Sequence, residues 1–306
     1  MTLCPIAIFA HNEERLIAGC LDSVLSVFAG ERDLEPRLYV LVNGSSDRTA
    51  EVVKAYGRKH RSIHLVEIDL GDKSNAWNHY VYRIAPEAPI HLFMDGDVHM
   101  GPRAAQELID ALDRHPVAMA AAAAPKGGRH SERYREETRK RPGIWGNLYA
   151  LRDTTLEAFR AKAIKLPVGA IGDDGLVGIL IAKDLDPRNA YTPGRTVFAD
   201  RAEFVYSPLR WFHPLDIKKY VRRRIRYSIR YYQFKILGRI FEERGLEGMP
   251  ELMVDAYDRL PEFSDLRRGG LNAIFDRVAW AAMRREYRER TPRFAPLASE
   301  GTPVGS

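Results

Sequence analysis

Cysteines and long apolar runs are both scarce in this 306-residue chain. No run of about 18 apolar residues occurs, so the sequence predicts no membrane-spanning helix. The two cysteines, Cys4 and Cys20, are too few for a disulfide framework or for a zinc site of their own. The first ten residues lack a basic segment and run directly into a strand pattern, which predicts no signal peptide. A cytoplasmic, reducing location is the resulting expectation.

Basic residues are in excess, and they are unevenly distributed. The formal net charge is +6, and a dense basic cluster lies between residues 218 and 239. Within residues 218–241, arginines and lysines are interleaved with tyrosines and phenylalanines. A helix of this kind can lie peripherally on an anionic membrane, present a charged face to solvent or form a dimer contact, and the sequence leaves these alternatives open. No nucleic-acid reading motif accompanies the cluster, so no nucleic-acid partner is expected.

Strand-like and helix-like segments alternate through the first hundred residues. Strands are expected at residues 3–10, 38–42, 63–68 and 90–94, and helices at 16–28, 49–56 and 73–84. This alternation indicates an α/β sandwich around a mostly parallel central sheet. Further along, the alanine run 118–124 predicts a closely packed strand, 125–142 a surface loop or short exposed helix, and 197–206 one or two last strands. The sequence after residue 214 predicts a mostly helical region.

Two aspartates separated by one glycine, Asp95 and Asp97, follow the apolar run 90–94. Side chains on an extended segment alternate with a period of two, so both carboxylates are expected to point the same way. Two carboxylates this close repel each other unless a cation lies on them. A hard divalent ion carried by a diphosphate is the expected partner. An ordinary exit from a strand into a turn is the alternative, because Asp and Gly are common in turns.

Polar residues also follow the first two predicted strands. Asn12 and Glu13 come after the first, and the segment from Asn43 to Asp47 comes after the second. In open α/β sheets, ligands bind outside the carboxyl ends of the strands. The amides, hydroxyls and acids in these segments can form hydrogen bonds with a base and a ribose. The two aspartates can in addition bind a metal.

Five motifs in this order resemble those of the family-2 glycosyltransferases, which have the nucleotide-binding GT-A fold. They lie at residues 6–16, 42–49, 71–78, 95–97 and 172–174, and the resemblance covers roughly residues 3–230. Several positions depart from the family pattern. Phe9 replaces the usual proline and His11 the usual aromatic residue. Val42-Asn43 stand where two acids are common, and Asp173-Asp174 replace the usual Glu-Asp pair. The arginine motif that follows lacks its usual tryptophan.

The resemblance implies a set of donor-binding residues. Ala10, Asn12 and Glu13 would line the nucleoside pocket, with Asn43 and Asp47 at the base or ribose edge. Lys73 would lie near the nucleotide as a point charge, although a solvated lysine at a helix start is the alternative. Arg223 and Arg226, in the basic run 222–226, would help to bind the diphosphate.

The resemblance also implies metal-binding and catalytic residues. Asp95 would touch the ribose or sugar and, with Asp97, hold Mg²⁺ or Mn²⁺ against the diphosphate of the donor. His213 would be an additional metal ligand or leaving-group contact, with a packed or capping histidine as the alternative. Asp174, beside Asp173, would be the general base. A second interpretation is that the pair stabilises a helix N-terminus, where the helix dipole favours acids. The catalytic and the structural interpretations are compatible.

These roles predict an inverting, metal-assisted glycosyltransferase that moves a sugar from a nucleotide-diphosphate sugar to an acceptor hydroxyl or amine. Residues 1–213 would form the GT-A catalytic domain, 214–290 a C-terminal helical region and 291–306 a disordered tail. A sugar nucleotidyltransferase is one alternative, but a glycine-rich basic loop would then follow the first strand. A non-catalytic nucleotide-sugar-binding scaffold is the other. The sugar, the base, the oligomeric state and the acceptor, whether glycan, lipid-linked or small molecule, stay open.

Overall fold

The computed structural model describes residues 1–31, 33–127, 131–144, 146–206, 214–264 and 270–289. Its first four strands form a parallel block in the order β3-β2-β1-β4. These are β1 (Thr2–Ala10), β2 (Leu34–Asn43), β3 (Ile63–Ile68) and β4 (Ile90–Asp95). Ile6 of β1 lies opposite Leu38 of β2 and Leu92 of β4. Because the block is parallel, the polar residues that follow its strands meet at one edge of the sheet, as the sequence predicted.

Helices connect the strands of this block. They are α1 (Ile17–Ala29), α2 (Thr49–Lys59) and α3 (Lys73–His79), and α3 continues into a π-helical turn, Tyr80–Ile84. Asp72 caps α3, since its side chain accepts a hydrogen bond from the Asn75 amide. The predicted third helix, 73–84, is therefore present in two parts. The π-helical turn widens the backbone spiral, which a periodicity argument does not distinguish from a regular helix.

The other half of the sheet is mixed. It contains β5 (Val98–Met100), β6 (Ala120–Pro125), β7 (Leu148–Arg152) and β8 (Thr196–Tyr206), in the order β4-β7-β6-β8-β5. β7 is antiparallel to β4 and β6, β8 is parallel to β6, and β5 is antiparallel to β8. The alanine run forms β6, whose six residues are all buried. The described residues thus form one eight-stranded sheet in which four of the seven strand pairs are parallel.

Alternate residues of β1 enter two different apolar cores. Ile6 and Ile8 face a core that includes α1 and α4 (Ala104–Arg114), whereas Ala7 and Phe9 face a core that includes Trp77 of α3. The second core also contains residues of α6 (Asp153–Ala161) and α7 (Asp173–Ala182). A strand buried on both faces reads as a continuous apolar run, as β1 does. These layers confirm the predicted α/β sandwich.

The polar stretch 125–142 contains a helix, α5 (Ser131–Lys140). Ion pairs attach it to β8. Arg135 contacts Asp200 at 2.6 Å and Glu203 at 2.7 Å. Its guanidinium is largely buried, with 12% of the side chain exposed. Of the two predicted alternatives, the structure therefore has the short helix.

The C-terminal part is helical, as predicted. Its described residues form α8 (Pro214–Arg244), two 3₁₀ segments (Gly245–Gly248 and Met253–Phe263) and α9 (Gly270–Glu289). Ile229, Tyr232 and Ile236 of α8 belong to the same apolar core as Trp77. Within the described ranges, no helix is both long and apolar enough to cross a membrane. His213 and the predicted tail 291–306 lie outside the described residues, and the division at 213/214 stays a prediction.

Candidate active site

A cavity of about 440 Å³ opens at the carboxyl ends of β1, β2 and β4, within the size range of ligand pockets. One wall comes from the strand ends, with Phe9, Asn43 and Asp95. A second wall is the segment of residues 169–173, which leads into α7. The C-terminal helical region supplies a third wall. It contributes Arg226, Ile229, Gln233, Tyr257 and Glu286.

The structure brings together seven of the residues that the sequence proposed for the site. They are Glu13, Asn43, Lys73, Asp95, Asp97, Asp173 and Arg226. Five other proposed residues do not line the cavity, namely Ala10, Asn12, Asp47, Asp174 and Arg223. Arg223 is exposed, and its Nε donates a hydrogen bond to the Tyr227 hydroxyl at 2.6 Å.

Lys73 lies at the start of α3 between two of the aspartates. Its Nζ is 2.6 Å from Asp95 Oδ1 and 3.4 Å from Asp173 Oδ2. Burial alone would lower the pKa of the Lys73 ammonium, but the carboxylates of Asp173, Asp95 and Asp174 hold that pKa well above its usual value. Lys73 is therefore a fixed positive charge in the cavity, rather than the solvated lysine of the alternative interpretation.

Asp95 ends β4, and the chain then turns through Gly96 and Asp97 into β5. Both aspartates line the cavity, although the turn replaces the extended geometry from which their common direction was predicted. Burial raises the pKa of Asp95 to about 7, with Lys73 opposing the rise and Asp97 adding to it. A bound cation would favour the ionised form of such a carboxyl.

A divalent metal fits this pair of aspartates. In the part of the chain that the structure describes, no group of three or more histidine, cysteine, aspartate or glutamate side chains could hold a metal by itself. Mg²⁺ is commonly bound by one or two carboxylates together with phosphate oxygens of a substrate, so a complete protein cage is not required. Asp173 Oδ2 is also buried without a hydrogen bond, and its contact with Lys73 is an ion pair only.

Asp174 lies beside the cavity wall, at the N-terminus of α7. It is 9% exposed, and the backbone of Gly146 packs against it, since a Cβ built on Gly146 would lie 2.8 Å from Asp174 Oδ2. Gly146 has φ +73°, a conformation that favours glycine. Burial raises the pKa of Asp174, the Asp173 carboxylate adds to the rise, and Lys73 and Arg230 oppose it. A carboxylate with a raised pKa is a better proton acceptor near neutral pH.

The polar residues after β1 and β2 bind one another. The buried Asn43 side chain donates to the Ala10 carbonyl at 3.1 Å, and the Asn43 carbonyl is 2.7 Å from His11 Nδ1. Asn12 has φ +56°, and its Oδ1 accepts from the Ser46 amide at 2.8 Å. Ala10 and Asn12 thus shape the two loops, while Glu13 and Asn43 also face the cavity.

Asp47 has a structural position in the same loops. Its carboxylate accepts hydrogen bonds from the Thr49 amide at 3.0 Å and the Glu14 amide at 3.1 Å. Burial would raise the pKa of Asp47, but the hydrogen bonds from Thr49 and Glu14 lower it overall. The residue therefore links the loop after β1 to the start of α2, because it accepts from a backbone amide of each.

We expect Asp47→Ala to lower the free energy of unfolding by about 1–2 kcal/mol, because two backbone amides lose their hydrogen-bond acceptor. Nucleotide affinity should change little, because Asp47 does not line the cavity. Urea unfolding and calorimetric titration with nucleoside diphosphates would measure the two quantities. A large loss of affinity at unchanged stability would instead favour the base or ribose contact that the resemblance implied.

Sequence reasoning missed several cavity residues. Asp72 is buried and lines the cavity, and burial raises its pKa to about 6. Its position before α3 predicts a helix cap, but nothing in the sequence pattern predicts that it contacts a ligand. Gln233, Tyr257 and Glu286 come from the C-terminal helical region, where no motif distinguishes them from other helical residues.

Comparison with known proteins gives the chain its family. The family model described as glycosyl transferase family 2 matches residues 6–170, more than half of the chain. None of the curated proteins compared with the chain matches it.

Two solved structures resemble the chain along most of its length. One is the mannosyltransferase PcManGT from Pyrobaculum calidifontis in complex with GDP-Man and Mn²⁺, with 18% identity, a TM-score of 0.60 and coverage of 93% of this chain and 75% of that chain. The other is TarS 1–349 from S. aureus in complex with UDP-GlcNAc, with 12% identity and a TM-score of 0.51. The match covers 99% of this chain and 98% of that chain. Both share its fold. On the family match, the chain belongs to glycosyl transferase family 2.

Proposed function

We propose that this glycosyltransferase uses a nucleotide-diphosphate sugar as its donor and a divalent metal as its cofactor. The observation that carries the proposal is the cavity at the strand ends, which Asp95 and Asp97 both line and where Asp95 lies 2.6 Å from the Lys73 ammonium. The two similar structures support it, since one contains GDP-Man and Mn²⁺ and the other UDP-GlcNAc. The nucleoside would lie near Glu13 and Asn43, and the diphosphate near Lys73 and Arg226.

Asp97 and Asp95 would hold Mg²⁺ or Mn²⁺. When bound, such an ion stabilises the negative charge that develops on the departing diphosphate. Lys73 and Arg226 stabilise the same charge from the protein side, because both line the cavity. Asp173 orients Lys73 through their ion pair, so that the ammonium stays between two carboxylates.

We propose Asp174 as the general base. As the bond between the anomeric carbon and the diphosphate oxygen breaks, the acceptor oxygen or nitrogen bonds to that carbon, and its proton passes to the Asp174 carboxylate. A base outside the donor cavity suits this role, since the acceptor must approach from the side opposite the leaving group. A single displacement of this kind inverts the configuration at the anomeric carbon.

Inversion can be tested before the acceptor is known. Many transferases slowly pass the sugar to water, and ¹H NMR can identify the anomer that is released first. With an α-linked donor we expect the β-sugar to appear before mutarotation mixes the two forms. Release of the α-sugar first would contradict a single displacement and point to retention.

We also propose that the exposed face of α8 lies on an anionic membrane. Tyr220 and Tyr227 are 37% and 42% exposed. They lie on one face of α8 with the exposed Arg223, because residues three, four and seven positions apart share a helix face. The described residues 220–227 contain no acid, so the face complements a negative surface. Arg226, in the same stretch, lines the cavity, which would place the cavity mouth near a lipid-linked acceptor.

Vesicle co-sedimentation tests this contact. We expect binding to vesicles of phosphatidylglycerol with phosphatidylcholine, none to phosphatidylcholine alone, and release by added salt. Arg223→Glu should weaken binding on the order of tenfold, because each surface charge contributes roughly 1 kcal/mol. Arg58→Glu, at an exposed arginine of α2, is the control and should bind as the wild type does. Equal binding of the two variants, or none by the wild type, would contradict the proposal.

A further inference from the structure

The cavity wall between residues 169 and 172 is an irregular segment with a glycine at each end. Gly169 and Gly172 have φ +87° and +91°, a region that glycine enters freely. All four residues of the segment line the cavity, and Asp173 and Asp174 follow directly. The positions of the two acids therefore depend on what holds this segment in place.

One side chain, Gln233 of α8, holds the segment at two points. Its Nε2 donates to the Gly169 carbonyl at 2.9 Å, and its Oε1 accepts from the Ile171 amide at 2.7 Å. Nε2 also donates to the Tyr257 hydroxyl at 2.7 Å. The Gln233 side chain is buried, with 1% of the residue exposed. Only a primary amide can donate and accept in this way, and a buried one is rarely left unpaired.

Contacts from the opposite side complete the arrangement. Asp72 Oδ2 accepts from the Gly169 amide at 3.0 Å, and the Ser74 hydroxyl donates to the Ala170 carbonyl at 3.3 Å. Asp72 and Ser74 flank Lys73, whose Nζ lies 3.4 Å from Asp173 Oδ2. The segment thus lies between the start of α3, which carries Lys73, and α8, which carries Gln233.

We infer that Gln233 is a positioning residue for sugar transfer: by fixing residues 169–171 against α3, it sets the distance between Lys73 and Asp173 and the orientation of Asp174. The inference rests on the proposed function, because it assigns these charged groups to the reaction. Gln233 acts through the segment and not on the reacting atoms. Its loss should therefore change the rate of the chemical step more than the affinity for the donor.

The test compares Gln233→Met with Asn78→Leu. Asn78 is a matched control, because its amide also binds one backbone carbonyl and one backbone amide, both of Leu166 at 2.8 Å, and it does not line the cavity. Both substitutions keep the size of the side chain and remove two backbone hydrogen bonds. The assay is release of nucleoside diphosphate, with Tm recorded for each variant and calorimetric titration of the nucleoside diphosphate with Mn²⁺.

For Gln233→Met we expect kcat to fall about 10- to 100-fold, the scale of a small misplacement of catalytic groups, with KM for the donor and nucleotide affinity within about threefold of the wild type. Asn78→Leu should lose comparable Tm at unchanged kcat. Equal kcat in the two variants would overturn the inference, and so would a raised KM at unchanged kcat. If the wild type releases no nucleoside diphosphate, the proposed function itself fails, which is a distinct result.

A second variant covers the case in which Gln233→Met does not fold. Tyr257→Phe keeps the ring in place and removes the hydroxyl that accepts from Gln233. We expect kcat to fall by about threefold with KM for the donor unchanged, because the hydroxyl holds the Gln233 amide that fixes the segment. An unchanged kcat in Tyr257→Phe, or a raised KM at unchanged kcat, would contradict the inference.

Discussion

Asp174→Asn is expected to lower kcat for sugar transfer on the order of 10³-fold, within the range for loss of a general base. Asparagine keeps the size of the side chain but accepts no proton from the acceptor. Nucleoside diphosphate affinity should stay within about threefold of the wild type, because Asp174 does not line the cavity. Single-turnover release of nucleoside diphosphate from the donor and calorimetric titration would measure the two effects.

The same substitution at the neighbouring Asp173 is the comparison for Asp174→Asn. Asp173 lines the cavity and pairs with Lys73, so Asp173→Asn should weaken donor binding as well as turnover. If Asp174→Asn retains transfer while Asp173→Asn abolishes it with donor affinity unchanged, the base is Asp173. If both variants keep full activity, the proposed chemistry is wrong.

Asp97→Ala is expected to lower kcat/KM by about 10²- to 10³-fold, because metal assistance contributes several kcal/mol to such a reaction. The exposed carboxylate of Asp97 contacts the cavity without a role in the apolar core, so the fold should be unaffected. The increase in Tm that nucleoside diphosphate and Mn²⁺ give together should disappear. Differential scanning fluorimetry with and without EDTA would show this directly.

Asp113→Asn is the control for that experiment. Asp113 is an exposed acid of α4 and does not line the cavity, so its variant should keep both metal-dependent stabilisation and turnover. Persistence of metal-dependent stabilisation in Asp97→Ala would remove Asp97 from the metal site. Loss of stabilisation in both variants would indicate a general effect of surface charge.

The parallel block of the sheet could be predicted from the sequence because each strand and helix there has a clear local signal. Ile6 and Ile8 alternate with Ala7 and Phe9 between two cores, and turn residues separate the strands from the helices. The antiparallel placement of β7 between β4 and β6 has no such signal, since strand order depends on contacts between distant segments. The single β8 likewise reads as one or two strands from its sequence alone.

Part of the cavity lining could be predicted from the sequence, and particular residues show why the rest could not. Asp173 and Asp174 are successive helical residues, so their side chains diverge by about 100° and only one faces the cavity. Asp47 and Asn12 have the chemistry of ligand contacts, but the same groups satisfy backbone amides of neighbouring loops. Gln233 could not be found, because its partners Gly169 and Ile171 are about sixty residues away in the chain.

Release of free nucleoside diphosphate by the wild-type chain tests the central claim most directly. The donors would be UDP-, GDP- and dTDP-sugars, each with Mn²⁺, Mg²⁺ or EDTA, and pyrophosphate would be measured in parallel. We predict slow, metal-dependent release from one of these donors and none with EDTA. Release of pyrophosphate instead would indicate a nucleotidyltransferase. No release, with no thermal stabilisation by any nucleotide and metal, would contradict the account and favour a non-catalytic role.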